Sequence, residues 1–221
     1  MRGIVPDRPT VPVTAASDQM ITACVLVATW RDGLVMVKGE AVRREFAGKS
    51  VRGLAHDGAK VLAIVGGHSL VGLIGGEWST LATSDLDLSC CAASDGIVYV
   101  GTDDARMLRL GPNGILEPLD GFSVTPGRDK WYAGTAVIDG RVVGPPLGVR
   151  SMIASCNGSV LLANVHVGGI PRSIDGGATW QPTIDVDSDV HEVVAHPTRS
   201  EVVAAASAVG LVRRRLGLLL L

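Results

Sequence analysis

Apolar residues along this chain come in short runs separated by polar turns, and the arrangement recurs. Val51-Arg-Gly-Leu-Ala-His-Asp-Gly58 leads into Val61-Leu-Ala-Ile-Val65, and Leu88-Ser-Cys-Cys-Ala-Ala-Ser-Asp-Gly96 leads into Ile97-Val-Tyr-Val100. Val149 to Gly158 then leads into Val160-Leu-Leu-Ala163, and Val190 to Pro197 into Val202-Val-Ala-Ala-Ala206. The runs are too short for helices, rich in β-branched residues and bounded by Gly, Asp, Asn or Pro, so each unit predicts a strand, a tight turn and a second strand. After the second strand the units continue alike, with Gly75-Gly76-Glu77-Trp78 in the first, Gly111-Pro-Asn-Gly114 in the second and Asp175-Gly176-Gly177 in the third. The stretch from Cys24 to Gly48 reads as most of an earlier unit, with strands at Cys24–Thr29, Leu34–Val37 and Val42–Phe46 around a Trp30-Arg31-Asp32-Gly33 turn.

The units start at Val51, Leu88, Val149 and Val190. Two of the three steps match the roughly 40 to 45 residues of a four-stranded propeller blade, and the long one holds an insertion within Leu119 to Gly148. The expected fold is therefore all-β, an incomplete β-propeller of four-stranded blades with about five blade-like units, against the 4 to 8 typical of propellers. Residues 1–20, with Pro6, Pro9 and Pro12, read as a disordered leader, residues 21–211 as the blades, and residues 212–221 as an atypical apolar tail where a further turn motif is expected. The chain reads as truncated. An incomplete ring leaves end sheets open, so self-association through open blade edges is expected.

One unit carries a specific motif. In Ser173-Ile-Asp175-Gly176-Gly177-Ala-Thr179-Trp180, the Asp175 carboxylate can accept from backbone amides further along the turn. The two glycines can take positive φ, and Trp180 can cap the strand end. The octet reads S-x-D-x-G-x-T-W and resembles the Asp-box of bacterial neuraminidase repeats (BNR), found in sialidase-like and BNR-like β-propellers. The resemblance implies that the box lies on the hairpin between the third and fourth strands of a blade, on the face away from the ligand-binding mouth, with a structural role. It also raises sialidase chemistry, which uses an arginine triad, a tyrosine nucleophile assisted by glutamate, and an aspartate acid/base. The Arg-Ile-Pro motif of most such enzymes does not occur here, and the available tyrosines are Tyr99, in an apolar strand, and Tyr132, with no glutamate near it in sequence.

Composition narrows the partners. With 28 glycines and 11 prolines in 221 residues the chain suits many short strands, and a formal net charge of -2 argues against a nucleic-acid binder. Cys24, Cys90, Cys91 and Cys156 show no metal-ligand spacing, and adjacent Cys90 and Cys91 on a strand face opposite ways, so buried reduced thiols and a cytoplasmic home are expected. No stretch is long enough to span a membrane as a helix. No cofactor is called for. The run Asp185-Val-Asp187-Ser-Asp189 lacks the glycine and glutamate of a calcium loop, so it reads as a solvated turn rather than a metal site.

Candidate binding residues come from the insertion and the third unit. Arg128, Asp129, Trp131 and Tyr132 combine charges and aromatic faces, which suits a sugar or small polar ligand; the alternative is a surface excursion whose aromatics pack over a blade. Asn164 and His166 alternate onto one face of a strand and can point to the central channel, with Arg150 and Arg172 nearby in the unit. Each also has a plain structural reading. The function expected is a non-catalytic binding or scaffold propeller for a small polar ligand or a protein partner. The alternatives are a sialidase-like glycoside hydrolase and an assembly factor resembling photosystem stability proteins.

Overall fold

The computed structural model describes residues 24–58, 60–133, 136–144, 147–184, 189–208 and 210–215. These form five antiparallel meanders in chain order. Blade 1 holds β1 (Cys24–Ala28), β2 (Leu34–Lys38) and β3 (Ala41–Glu45), and blade 2 holds β4 (Val51–Asp57), β5 (Lys60–Val65), β6 (Ser69–Ile74) and β7 (Glu77–Thr83). Blade 3 holds β8 (Leu88–Ser94), β9 (Ile97–Thr102), β10 (Met107–Leu110) and β11 (Leu116–Pro118). The insertion follows, with a short helix α1 (Asp120–Ser123), a 3-10 turn (Arg128–Lys130) and a hairpin of β12 (Ala136–Ile138) and β13 (Arg141–Val143). Blade 4 holds β14 (Val149–Ala154), β15 (Leu161–Val165), β16 (Pro171–Ser173) and β17 (Gln181–Pro182); blade 5 holds β18 (Val190–Ala195), β19 (Val202–Ser207) and β20 (Gly210–Arg215).

The first strands β4, β8, β14 and β18 pack side by side in that order, so the sheets are propeller blades arrayed about an axis. Blade 1 begins one place later. Val51 N donates to Thr29 O just as Leu88 N donates to Gly67 O, so the turn after β1 stands where the turn after β5 stands. Its three strands thus occupy the second, third and fourth places. Blade 5 fills the first three places, and β20 continues through Arg215 into the stretch read as a tail, because ladder pairing with β19 uses backbone groups alone. The leader 1–20 and residues 216–221 lie outside the described residues.

Alternation along each strand builds one apolar core per pair of neighbours. In blade 2, Ala63, Val65 and Val71 pack against Leu34 of blade 1, while Leu62, Ile64 and Leu70 pack against Cys91, Val98 and Val100 of blade 3. Cys90, Tyr99 and Met107 of blade 3 meet Val149, Leu161 and Trp180 of blade 4, and Leu162 and Ile170 meet Val190, Val193 and Val203 of blade 5. The inner strands of blades 2 to 4 therefore pack on both faces, so they read as unbroken apolar runs rather than as alternating ones. Adjacent Cys90 and Cys91 serve different cores, and burial pushes the Cys90 thiol up to about 12. Cys24 and Cys156 are exposed, contrary to the expectation of buried thiols, because they sit at a strand start and in a turn rather than inside a blade.

The octet forms the hairpin between β16 and β17, the third and fourth strands of blade 4. Thr179 donates to Asp175 from both its hydroxyl, to Oδ2 at 2.6 Å, and its amide, to Oδ1 at 2.9 Å; Ser173 Oγ donates to Oδ1 at 2.8 Å and accepts from Gly177 N at 2.9 Å. Trp180 Nε1 donates to Gly177 O at 3.0 Å, which fixes the indole under the turn. Gly176 and Gly177 hold φ of 70° and 90°, which a side chain would oppose. Hydrogen bonds from the Thr179 hydroxyl, then its amide, then Ser173 hold the Asp175 carboxyl at about 2, below its ordinary 3.8. A depressed carboxyl contributes stability that is present above pH 3.8 and lost as pH falls toward 2. Asp175→Asn is expected to flatten the acid limb of a thermal-stability profile in that window, and an unchanged profile would count against this role.

Candidate functional site

Every complete first strand carries a β-bulge near its start. The ladder slips between Arg52 and Ala55 in β4, between Leu88 and Cys90 in β8, between Val149 and Ser151 in β14 and between Val190 and Glu192 in β18. A bulge frees one residue from pairing and re-aims its side chain. The freed residues are Ser89, Arg150 and His191 in blades 3 to 5; in blade 2 the slip spans Gly53, which follows Arg52. Gly53 is required there: at φ 64° its α-carbon passes so close to blade 3 that a Cβ would lie 2.8 Å from Cys90 Cα.

These bulges and the turns after the second strands lie at the same axial end, opposite the Asp-box. There the blades assemble a rim. Arg52 Nη1 donates to Asp103 Oδ2 at 3.0 Å, and Arg150 Nη1 pairs with Asp103 Oδ1 at 3.6 Å, with all three side chains about a fifth exposed. One carboxylate of blade 3 thus stands between guanidiniums of blades 2 and 4. The Arg52 guanidinium also lies 5.2 Å from the ring centre of Trp30, a blade 1 residue that is 72% exposed. His166 Nε2 lies 3.9 Å from Asp189 Oδ1 of blade 5. Burial first, then Arg150, lower the His166 pKa against the pull of Asp189, so the imidazole is neutral at pH 7 and can both donate and accept.

Behind the rim sits a buried polar pair. Ser151 and Asn164 are direct ladder partners on β14 and β15, on the face that Ile153 and Leu162 present to blade 5. Asn164 is 0% exposed, and among the described residues neither its amide atoms nor Ser151 Oγ find a hydrogen-bond partner. An unpaired buried amide costs free energy, so this slot between blades 4 and 5 opposes stability where the other cores favour it.

The residues singled out from sequence divide into three groups. Arg150 and His166 meet at the rim, with Asn164 one layer below. The insertion straps blades 3 and 4: Arg128 Nη2 donates to Ala105 O at 2.9 Å, and its guanidinium stacks 4.9 Å from the Trp131 ring centre. Trp131 is 7% exposed and belongs to the core, so its indole serves packing rather than a ligand. Tyr132 N donates to Val167 O at 3.1 Å, placing an exposed phenol ring next to the turn that carries His166. Asp129 is exposed on the 3-10 turn, and Arg172 is half-buried on β16, away from the rim. Asp185 and Asp187 lie outside the described residues. Arg52, Asp103 and Trp30 were not singled out, although Val51-Arg52 and Val149-Arg150 occupy the same column of the repeat.

Among the described residues, no helix is long and apolar enough to cross a membrane. No protein-family model matches the chain, and no curated protein matches it. Solved structures do. The chain superposes on YCF48 bound to a D1 peptide with a TM-score of 0.59 at 16% identity, over 87% of this chain and 60% of that one. It superposes on YCF48 from Cyanidioschyzon merolae with a TM-score of 0.57 at 12% identity, over 89% and 67% of the two chains. The GH74 xyloglucanase from Xanthomonas campestris gives a TM-score of 0.60 at 16% identity, over 87% of this chain and 35% of that one. The chain thus spans 60% of the peptide-bound YCF48 and about a third of the xyloglucanase. Likeness at such identities establishes the fold, and one fold hosts unrelated activities; what this chain shares with these proteins is the β-propeller.

Proposed function

We propose that this chain is a non-catalytic binding propeller of the BNR/Asp-box repeat type, and that it holds a peptide segment of a protein partner at the axial rim. The observation that carries the reading is the Arg52–Asp103–Arg150 bridge with the exposed Trp30 at one end and His166 toward the other. Guanidinium, imidazole, carboxylate and indole in one rim suit the mixed charges, amides and apolar side chains of a peptide. Glycoside hydrolysis asks for something else, a proton-holding carboxylic acid beside the leaving oxygen and a second carboxylate across the bond. The central rim carboxylate, Asp103, is instead engaged by two cations. The propeller likeness to YCF48 solved with a bound D1 peptide supports a peptide ligand, and the hydrogen-bond network within the octet, centred on Asp175 and Gly177, supports the repeat type. Four unpaired thiols support residence in a reducing compartment such as the cytoplasm.

A peptide array probed with the labelled full chain tests the reading. Binding is expected to be restricted to a subset of sequences and to weaken at least about tenfold with Arg150→Glu, the loss typical of breaking a charge-assisted contact. Tm should be measured alongside, so that lost affinity is not lost fold. Glycan binding or glycoside cleavage with no peptide binding would overturn it.

A further inference from the structure

Four times in this chain one blade stacks on the next through the same kind of interface, in which the apolar side chains facing forward from one sheet meet those facing backward from its successor. At the two ends of the series, half of such an interface is left uncovered among the described residues. In blade 1, Leu26 and Met36 pack toward blade 2. Strand alternation then places Val25, Val27, Val35, Val37 and Val42 on the backward face, and the ladder aligns Val25 with Val37 and Val37 with Val42. Val25 is 54% exposed and Val42 62%. In blade 5, Val193, Val203 and Ala205 pack toward blade 4, which leaves Val194, Ala204, Ala206 and Leu211 on the forward face. Val194 is 51% exposed and Leu211 77%.

The two faces are not alike; they are the complementary halves of one repeated interface. The backward half is a sheet of branched valines with Arg44 opposite Val35, and the forward half offers Ala204 and Ala206 flanked by Val194, Leu211 and Glu192, so the two faces also carry opposite charges. Small residues facing bulky ones is how packed layers interdigitate. In the structure the chain does not close these halves on each other, since the exposures above would then vanish. We propose that they join between copies: blade 5 of one molecule stacks on blade 1 of a second, continuing the blade series across the molecular boundary. Such an interface is heterologous, with different patches on the two partners, so it extends head to tail rather than closing as a two-fold dimer. It uses blade faces rather than the axial rim and is independent of the peptide reading.

Sedimentation of the full chain at increasing concentration, with two blocking variants, tests this. Wild type is expected to gain mass with concentration. Val27→Asp blocks the backward half and Leu211→Asp the forward half, so each variant alone should stay monomeric. Mixed in equal amounts, they retain one intact pair of faces and should form a dimer that grows no further. Both side chains are substantially exposed, and an unchanged Tm confirms that the variants are folded. Val27→Ile, which keeps the apolar face, should associate as wild type does. A wild type that is monomeric throughout, a single blocked variant that still associates, or a mixture that stays monomeric would each overturn the proposal.

Discussion

Phe122→Ala is expected to destabilise the protein by about 3–5 kcal/mol, the usual cost of emptying a fully buried phenylalanine site. Phe122 is 0% exposed and is the apolar member of the four-residue helix α1. Its ring lies 5.0 Å from Trp180, which closes the octet turn of blade 4, and 5.5 Å from Trp131, which follows the 3-10 turn of the insertion. The Arg128 guanidinium sits 5.7 Å from the Phe122 ring. One side chain thus joins the insertion to blade 4, within the core that blades 3 and 4 share. For a chain of this size the loss should lower Tm by on the order of 10 °C. Urea or thermal unfolding reads it directly. A cost under about 1 kcal/mol would mean that the insertion lies over the blades without holding them. Trp180→Ala should be strongly non-additive with it, because the two rings share one contact.

Asp103→Ala is expected to cost about 2–3 kcal/mol, less than the 3–5 kcal/mol of breaking a fully buried ion pair because the three side chains keep some contact with water. Removing the carboxylate leaves the Arg52 and Arg150 guanidiniums facing each other without their common acceptor. Burial, offset in part by Asp103, already lowers the Arg150 pKa, so this cation depends on the acid beside it. The decisive comparison is the triple variant with Arg52→Met and Arg150→Met added. If the cost of Asp103→Ala is the cost of stranded charge, the triple variant should recover most of the lost stability. Failure to recover would show that Asp103 acts mainly through the backbone of its turn.

Strand placement was legible because the middle blades bury both faces and the end blades one. That demand writes unbroken apolar runs between turn residues, and the starts read at Val51, Leu88, Val149 and Val190 are the first residues of β4, β8, β14 and β18. The octet was legible for a similar reason: its hydrogen bonds join residues two to four apart, so the chemistry is local. The rim was less so. Arg52 and Asp103 are 51 residues apart, on different blades, and no local pattern connects them. For Trp131 the sequence leaves a ligand platform and a packed ring both open, because charges beside an aromatic look alike whether the ring faces solvent or, as here, lies between a core and a stacked guanidinium. The first strands left one trace, a polar residue second in each unit, as in Val51-Arg52, Leu88-Ser89, Val149-Arg150 and Val190-His191, and two members of that column, Arg52 and Arg150, meet Asp103 at the rim.

The slipped register near the start of each inner strand separates what the molecule displays from what keeps it folded. Arg150 and His191 stand outside the ladder pairing, so exchanging either costs no ladder hydrogen bond, whereas Ser89, bulged likewise, is buried and donates to Val149 O at 2.6 Å. Selection acting on these few positions can change the preferred target one contact at a time while the chassis stays constant. A library randomised at the His191 codon would sample new specificities with little penalty in expression, whereas changes at Ser89 and Arg150 also touch contacts between blades.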